Sequence, residues 1–211
     1  MSAAPLVHVV DDDDSLRTAV ARLLNAAGLE VRAYASAGDF LLHPLPHRPG
    51  CILLDLRMPG PSGLELQRAL RTLGATLPVI FFTAHADVAC SVEAMKAGAV
   101  DFLMKPVEPQ VLLEAVQRAL ERDARMRAAR TDADDLLSRF ALLSPREREV
   151  FDLVVAGKLN KQIADELGIA ERTVKAQRAQ LMIKLGAESA AELGRLAERL
   201  QRLTQDLPDN R

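Results

Sequence analysis

The sequence predicts an α/β domain followed by a second, all-helical domain. Three observations carry that expectation. From residue 6 to about 122, short apolar runs alternate with stretches of helical period. A polar stretch rich in Ala and Arg, without Gly or Pro, follows over residues 121–135. Beyond Leu143 the remaining pattern reads as helices only. A length of 211 residues fits two modest domains.

The apolar runs read as strands at Leu6 to Val10, Glu30 to Tyr34, Cys51 to Leu54, Val79 to Phe82 and Phe102 to Met104. Five strand–helix repeats predict a parallel sheet covered on both faces, a doubly wound, flavodoxin-like arrangement. Ligands of such sheets gather outside the carboxyl ends of the strands. Pro109 suits a helix start, and Val111, Leu112, Ala115, Val116, Ala119 and Leu120 give the last helix an apolar stripe. The polar stretch after it is expected to be a helical extension or semi-rigid linker. The expected boundaries are 1–122 for the first domain, 123–142 for the linker and 143–211 for the second domain.

In the second domain, Ser144-Pro145-Arg146-Glu147 has the form of an N-cap, a proline in the first turn and acidic support. A helix over 146–156 is expected, ended by Gly157. Asn160 is the expected cap of a second helix, Lys161 to Leu167, with Gly168 as its stop. A third runs from about Glu171 to Leu185. The short connection Leu167-Gly168-Ile169-Ala170 gives helix-turn-helix spacing, in which the second helix can enter a major groove. Val174, Leu181 and Leu185 share one stripe of it, while Arg172, Lys175, Gln177, Arg178 and Lys184 are polar and mostly basic, as contact with phosphates and base edges requires.

Hydrophobic residues at 49% and charged residues at 27% exclude wholesale disorder and an integral membrane protein. Aromatics are only 3%, so the cores must be built from Leu, Val, Ile and Ala. No apolar run spans a bilayer and no signal peptide opens the chain, so a cytoplasmic protein without a membrane partner is expected. The two cysteines, Cys51 and Cys90, lack ligand spacing and read as buried or half-buried thiols. Residues 1–122 carry 11 basic and 14 acidic side chains, so the first domain is not built to hold nucleic acid.

Asp11 and Asp12 directly follow the first strand and Asp55 the third. If those strands are neighbours, three carboxylates converge, and their repulsion calls for a hard divalent cation, for which Mg2+ is suited. Thr83, ending the fourth strand, offers a hydroxyl donor; Lys105, ending the fifth, offers a point charge for a phosphate oxygen. Asp55 can then act as a nucleophile and form an acyl phosphate. A solvated acidic loop would explain the run from Asp11 to Asp14, but not Asp55, Thr83 and Lys105 at matching strand ends. By spacing alone, Phe102 is a core aromatic and His85 a surface imidazole; His8, His43 and His47 have no identified partners.

Val9-Val10-Asp11-Asp12-Asp13, Leu54-Asp55-Leu56-Arg57-Met58-Pro59-Gly60, Phe82-Thr83-Ala84-His85 and the run from Ala94 through Lys105-Pro106 closely resemble receiver domains of two-component response regulators, over about the first 120 residues. The resemblance implies that a sensor histidine kinase donates phosphate to Asp55. It implies Mg2+ held by Asp12, Asp55 and the backbone carbonyl of Arg57, with Asp11 acting through water. It further implies that Thr83 turns toward the phosphoryl group, that Phe102 swings inward, and that the Lys105-Pro106 bond is cis.

Leu143 to Val150, Asn160-Lys161-Gln162-Ile163-Ala164 and Glu171-Arg172-Thr173-Val174-Lys175 resemble the LuxR-type output domain of NarL/FixJ regulators, to about Leu200. That implies a homodimer on double-stranded promoter DNA, with RNA polymerase a further partner, and residues 171–185 as recognition helix. Lys175 and Arg178 lead the implied contacts, joined by Arg172, Thr173 and Gln177, with Lys161 and Lys184 on phosphates. The sequence departs from the family at Ala170, where a Ser cap is common, at Gln177, where a His is common, and at Ala86, where a Gly is familiar. Loss of the cap is expected to cost about 1 kcal/mol of helix stability.

The protein is expected not to be an enzyme beyond slow loss of its own phosphate. One alternative is a phosphatase of the haloacid-dehalogenase kind, which wants two acids two residues apart after the first strand; Asp11 and Asp13 meet that spacing, and steady turnover of phosphoesters would favour it. Another is a phosphate sink or interaction module whose helix-turn-helix no longer binds DNA.

Overall fold

The computed structural model describes residues 4–44, 48–84 and 88–205. The chain forms two compact units, Met1–Arg127 and Ala128–Arg211. In the first, β1 (Leu6–Val10), β2 (Glu30–Tyr34), β3 (Gly50–Leu54), β4 (Val79–Thr83) and β5 (Asp101–Met104) build one sheet in the order β2-β1-β3-β4-β5. Every adjacent pair is parallel, and Leu6 to Val10 align residue for residue with Gly50 to Leu54.

The strands are continuously apolar because both faces are covered. On one face Val7, Val9, Cys51, Leu53, Ile80 and Phe82 pack with α1 (Asp14–Ala26), through Val20 and Leu24, and with α5 (Pro109–Ala141), through Leu112, Ala115, Val116 and Ala119. On the other, Val10, Ile52, Leu54, Val79 and Phe81 meet Phe40 of α2 (Ala37–Leu42), Leu66 and Leu70 of α3 (Gly63–Thr72) and Ala94 of α4 (Val88–Lys96). Each such aliphatic or aromatic side chain contributes on the order of 1.5–3 kcal/mol by leaving water. Ser36 and Ser62 cap α2 and α3, the latter in a capping box with Glu65.

His8, for which the sequence offers no partner, has one. It is 1% exposed, with Nδ1 3.0 Å from the Tyr34 hydroxyl and its ring edge-on to Phe40. A paired strand directs alternate side chains to one face, which brings β1 and β2 aromatics together. Burial, and then the positive charges of Arg32 and Arg48, push the imidazole down to about 4. His43 likewise places Nδ1 2.8 Å from the Asp39 carbonyl oxygen. His47, His85 and Ala86 lie outside the described residues. Cys51 is buried, and burial followed by the nearby Asp123 charge pushes its thiol up to about 12; Cys90 is half-buried.

In the second unit the last part of α5 joins α6 (Pro145–Val155), α7 (Asn160–Leu167), α8 (Glu171–Leu185) and α9 (Ala190–Gln205). Their core holds Leu136, Val150, Phe151, Ile163, Val174, Leu181, Leu185, Leu193 and Leu200. The pattern reading assigns no helix beyond Leu185, so α9 is an addition. Asn160 is not a cap: it is the first residue of α7, and Leu159 stands at the N-cap with its N–H donating to Gln162 Oε1 at 2.8 Å. The Asn160 side chain instead accepts a hydrogen bond from Arg178 Nη1 at 3.1 Å. Gly168 ends α7 in the left-handed region, φ 63° and ψ 37°, which side chains with a Cβ resist. Among the described residues no helix is long and apolar enough to cross a membrane.

The buried imidazole has a consequence for acid stability. His8 stays neutral in the fold while the unfolded chain protonates it below about pH 6.5, so the unfolded state binds more protons between pH 6.5 and 4. Stability from this group is full above that window and falls on acidification by up to about 3 kcal/mol. Denaturant unfolding at pH 7 and 4.5 should show a smaller acid loss for His8→Phe than for wild type; equal losses would contradict the assignment.

Candidate functional site

Because β1 and β3 are adjacent and parallel, their carboxyl ends deliver Asp11, Asp12 and Asp55 to one place. Each offers a carboxylate oxygen, and these lie within 4.8 Å of one another. The acidic run divides its work. Asp11 is buried, accepts from the Asp13 N–H at 3.0 Å and meets Lys105 Nζ at 2.6 Å. Asp12 is exposed. Asp13 caps α1, accepting from Ser15 Oγ at 2.6 Å and Leu16 N at 3.1 Å, and these bonds hold its carboxyl below the usual range. Asp14 opens the helix and pairs with Arg17. With its carboxylate committed to capping, Asp13 is a poor second acid for haloacid-dehalogenase chemistry.

Burial raises the Asp11 carboxyl above its usual value, opposed chiefly by the hydrogen bond from Lys105. Lys105 Nζ also lies 3.5 Å from Asp55 Oδ2 and 5.2 Å from the centre of the Phe82 ring. Among the described residues, three carboxyl groups thus share one paired ammonium, in a pocket that offers several carboxylate oxygens. That donor set and spacing fit a hard divalent cation such as Mg2+. Asp11, Asp12, Asp55, Arg57 and Lys105 all line one cleft of about 830 Å3.

Thr83 is fully buried at the end of β4, where its carbonyl accepts from Lys105 N at 2.9 Å; its neighbours Phe82 and Ala84 wall the cleft. Phe102 is half-buried on β5, its ring centre 6.0 Å from that of Phe81, and so stands on the opposite sheet face from Phe82. The Lys105-Pro106 bond is cis. Sequence reasoning missed Gly63. A Cβ there would sit 2.2 Å from the Asp55 carbonyl oxygen and 3.1 Å from the Phe81 ring, while Gly63 N donates to Leu56 O at 3.0 Å. The first turn of α3 therefore lies directly against the backbone of Asp55. The available signal was a glycine, a poor helix former, immediately after the Ser62 cap.

In the second unit α7, the Gly168 turn and α8 form the helix-turn-helix. Val174, Leu181 and Leu185 face its core. Arg172, Lys175 and Lys161 are exposed, with Lys175 3.1 Å from Glu171 of the same helix. Thr173, Gln177 and Arg178 are half-buried, and Gln177 Oε1 is enclosed without a hydrogen-bond partner. Lys184 differs from expectation: its Nζ contacts Glu147 Oε2 at 2.7 Å and the Leu142 carbonyl at 3.2 Å. Glu147 is buried and completes a capping box with Ser144, and the Lys184 bond holds its carboxyl below the usual range. Lys184 thus joins α8 to the start of α6 through this ion pair. Ala170 caps α8 without a side-chain bond.

A parallel sheet with three carboxylates and a lysine at its carboxyl edge, in one chain with a helix-turn-helix unit, has the parts of a response regulator. Comparison agrees: residues 7–117 match the response regulator receiver domain and residues 141–197 the bacterial regulatory proteins of the luxR family. Nodulation protein W of Bradyrhizobium diazoefficiens is 47% identical over 199 residues, covering 94% of this chain and 88% of that protein. The transcriptional regulatory protein FixJ of Rhizobium meliloti is 46% identical over 191 residues, covering 90% of this chain and 94% of that one. Among solved structures, the response regulator StyR aligns with a TM-score of 0.84 at 48% identity, over 93% of this chain and all of that one. Full-length FixJ from B. japonicum aligns with a TM-score of 0.57 at 39% identity, over 96% and 99%. The chain belongs to the NarL/FixJ type of response regulators, with a receiver domain and a LuxR-type DNA-binding domain.

Since a Cβ at position 63 would overlap the Asp55 backbone and crowd the Phe81 ring, Gly63→Ala should destabilise the receiver unit by about 1–3 kcal/mol. Urea unfolding checks this; a loss below about 0.5 kcal/mol would show that α3 moves aside freely.

Proposed function

We propose that Asp55 accepts a phosphoryl group from a sensor histidine kinase and that this modification controls dimerisation and sequence-specific promoter binding. The observation that carries the reading is the buried Asp55 carboxylate, set at a strand end within reach of two further carboxylates and Lys105. In this reading residues 1–122 are the receiver, 123–142 the linker and 143–211 the DNA-binding domain. An Asp55 oxygen attacks phosphorus in line, an acyl phosphate forms, and the departing imidazole nitrogen keeps the bonding pair. Mg2+, held by Asp12, Asp55 and the backbone carbonyl of Arg57, with Asp11 through water, would neutralise charge on the phosphoryl oxygens.

Lys105 transfers its Nζ from the Asp11 and Asp55 carboxylates to a phosphoryl oxygen. Thr83 donates its hydroxyl to another, and Phe102 moves inward beside Phe81. The new charge thereby biases the β4–β5 surface on which dimerisation depends. The protein acts in the cytoplasm and loses its phosphate slowly rather than turning over a substrate. On DNA, Lys175, Arg172 and Lys161 supply exposed positive charge. Thr173, Gln177 and Arg178 sit deeper, Arg178 being held by Asn160. A promoter-bound dimer would present its outer surface to RNA polymerase.

Acetyl phosphate with Mg2+ should modify the wild type and not Asp55→Ala, and should strengthen binding to duplexes selected from genomic DNA in the same samples. Modification without any DNA binding would favour the phosphate-sink reading, and no modification would overturn the proposal. On a selected duplex, Lys175→Ala should weaken binding and reduce the slope of log affinity against log salt by roughly one. Lys184→Ala should leave that slope unchanged and lower the thermal stability of the second unit; a reduced slope would return Lys184 to the DNA contacts.

A further inference from the structure

The buried stripe of α5 runs through Leu112, Val116, Ala119 and then Asp123, a carboxylate where an apolar residue would continue the pattern. Asp123 is 0% exposed. Its Oδ2 accepts from Gly50 N, the first residue of β3, at 3.0 Å and from Arg127 Nε at 2.7 Å. Arg127 Nη2 donates to the Arg48 carbonyl at 2.6 Å, and the Arg48 guanidinium reaches Glu30 on β2 at 2.5 Å. Asp123 Oδ1 is buried without a hydrogen-bond partner. The next buried residue along α5 is Leu136, which belongs to the core of the second unit. Among the described residues, Asp123 is therefore the last buried residue of α5 before Leu136, and Arg127 bonds to it one turn further on.

We propose that Asp123 and Arg127 form a polar latch, holding the final receiver-bound turns of α5 on the start of β3 and thereby setting how strongly Asp55 phosphorylation changes DNA affinity. They act as positioning residues, and the proposal rests on the function proposed above. Apolar burial is non-directional and tolerates sliding. A charge-assisted bond to one backbone N–H instead fixes both the rotation of the helix and its position along its axis. A small displacement of α5 that breaks the bond leaves Asp123 with its same-helix partner Arg127 but strips the buried Gly50 N–H of its acceptor, an unfavourable state that separates latched from released. Such two-valued elements are what signalling transitions use. The Gly50 N–H belongs to the strand that ends at Leu54, immediately before Asp55, so the two sites share one five-residue element. Gly50 is itself held close to β1, where a Cβ would lie 2.3 Å from the Leu6 carbonyl oxygen.

The test uses the full-length protein and three variants: Asp123→Asn, Arg127→Gln and the charge-keeping Arg127→Lys. Three quantities are measured: the rate of modification by acetyl phosphate, the ratio of duplex affinities with and without modification, and amide exchange at residues 118–127 and Gly50. Asp123→Asn and Arg127→Gln should be modified at the wild-type rate, exchange faster at those amides, and show an affinity ratio at least threefold smaller. Arg127→Lys should keep most of the ratio. If Asp123→Asn does not fold, Arg127→Gln, whose side chain is partly exposed, carries the comparison. A wild-type ratio of one would overturn the functional reading and the latch together. A wild-type response preserved unchanged in the folded latch variants, despite faster exchange, would overturn the latch alone.

Discussion

The receiver unit depends on the forced proximity of like charges at the ends of two adjacent strands. Parallel pairing of β1 with β3 leaves Asp11, Asp12 and Asp55 no freedom to separate, and the strands cannot retreat because both their faces are buried. The fold tolerates this through local compensation: Lys105 between two of the carboxylates, a backbone N–H on Asp11, and the α1 cap absorbing Asp13. Among the described residues, Lys105 is the cation that pairs with these carboxylates, and it meets two of the three. The electrostatic cost of the site and its fit to a divalent ion have one origin, the crowding of carboxylate oxygens at one sheet edge.

Close packing around Asp55 follows from the same constraint. The Asp55 backbone is held in place, because the α3 turn rests on it at a distance that only glycine permits. The second unit solves a smaller problem. Its core is built mainly from aliphatic residues of α6 to α9 and the last part of α5, with Phe151, and it adds one mostly buried ion pair, Glu147 with Lys184, that joins the start of α6 to the end of α8. The exposed face of α8 is left with Arg172 and Lys175. One basic residue of α8 thus pairs within the fold, while Arg172 and Lys175 stay exposed.

The five parallel strands, the placing of Asp11, Asp12, Asp55 and Lys105 at strand ends, and the buried stripe of α8 were legible in the sequence, whereas the adjacency of β1 and β3 entered only as a condition. Each is written in local periodicity or in position relative to a strand end, and a doubly wound sheet maps strand ends onto one edge. The role of Asn160 was misread because a residue with a capping side chain next to a helix start is locally indistinguishable from a cap. Only contact with Arg178 shows that its amide is used elsewhere. The partners of His8 and Lys184, Tyr34 and Glu147, were not legible because they lie 26 and 37 residues away.

By itself, then, the sequence determined the periodicities, the glycine and proline stops and the chemical types placed at strand ends, and with them the family. Tertiary structure alone decided which polar side chains are spent within the fold. It tied Lys184 to Glu147, enclosed Asp123 beneath Gly50, and brought α3 onto the backbone of Asp55. The physical reason is range: propensity and amphipathic pattern act over a few residues, whereas a hydrogen bond or an ion pair is fixed by distances that exist only once remote segments have packed.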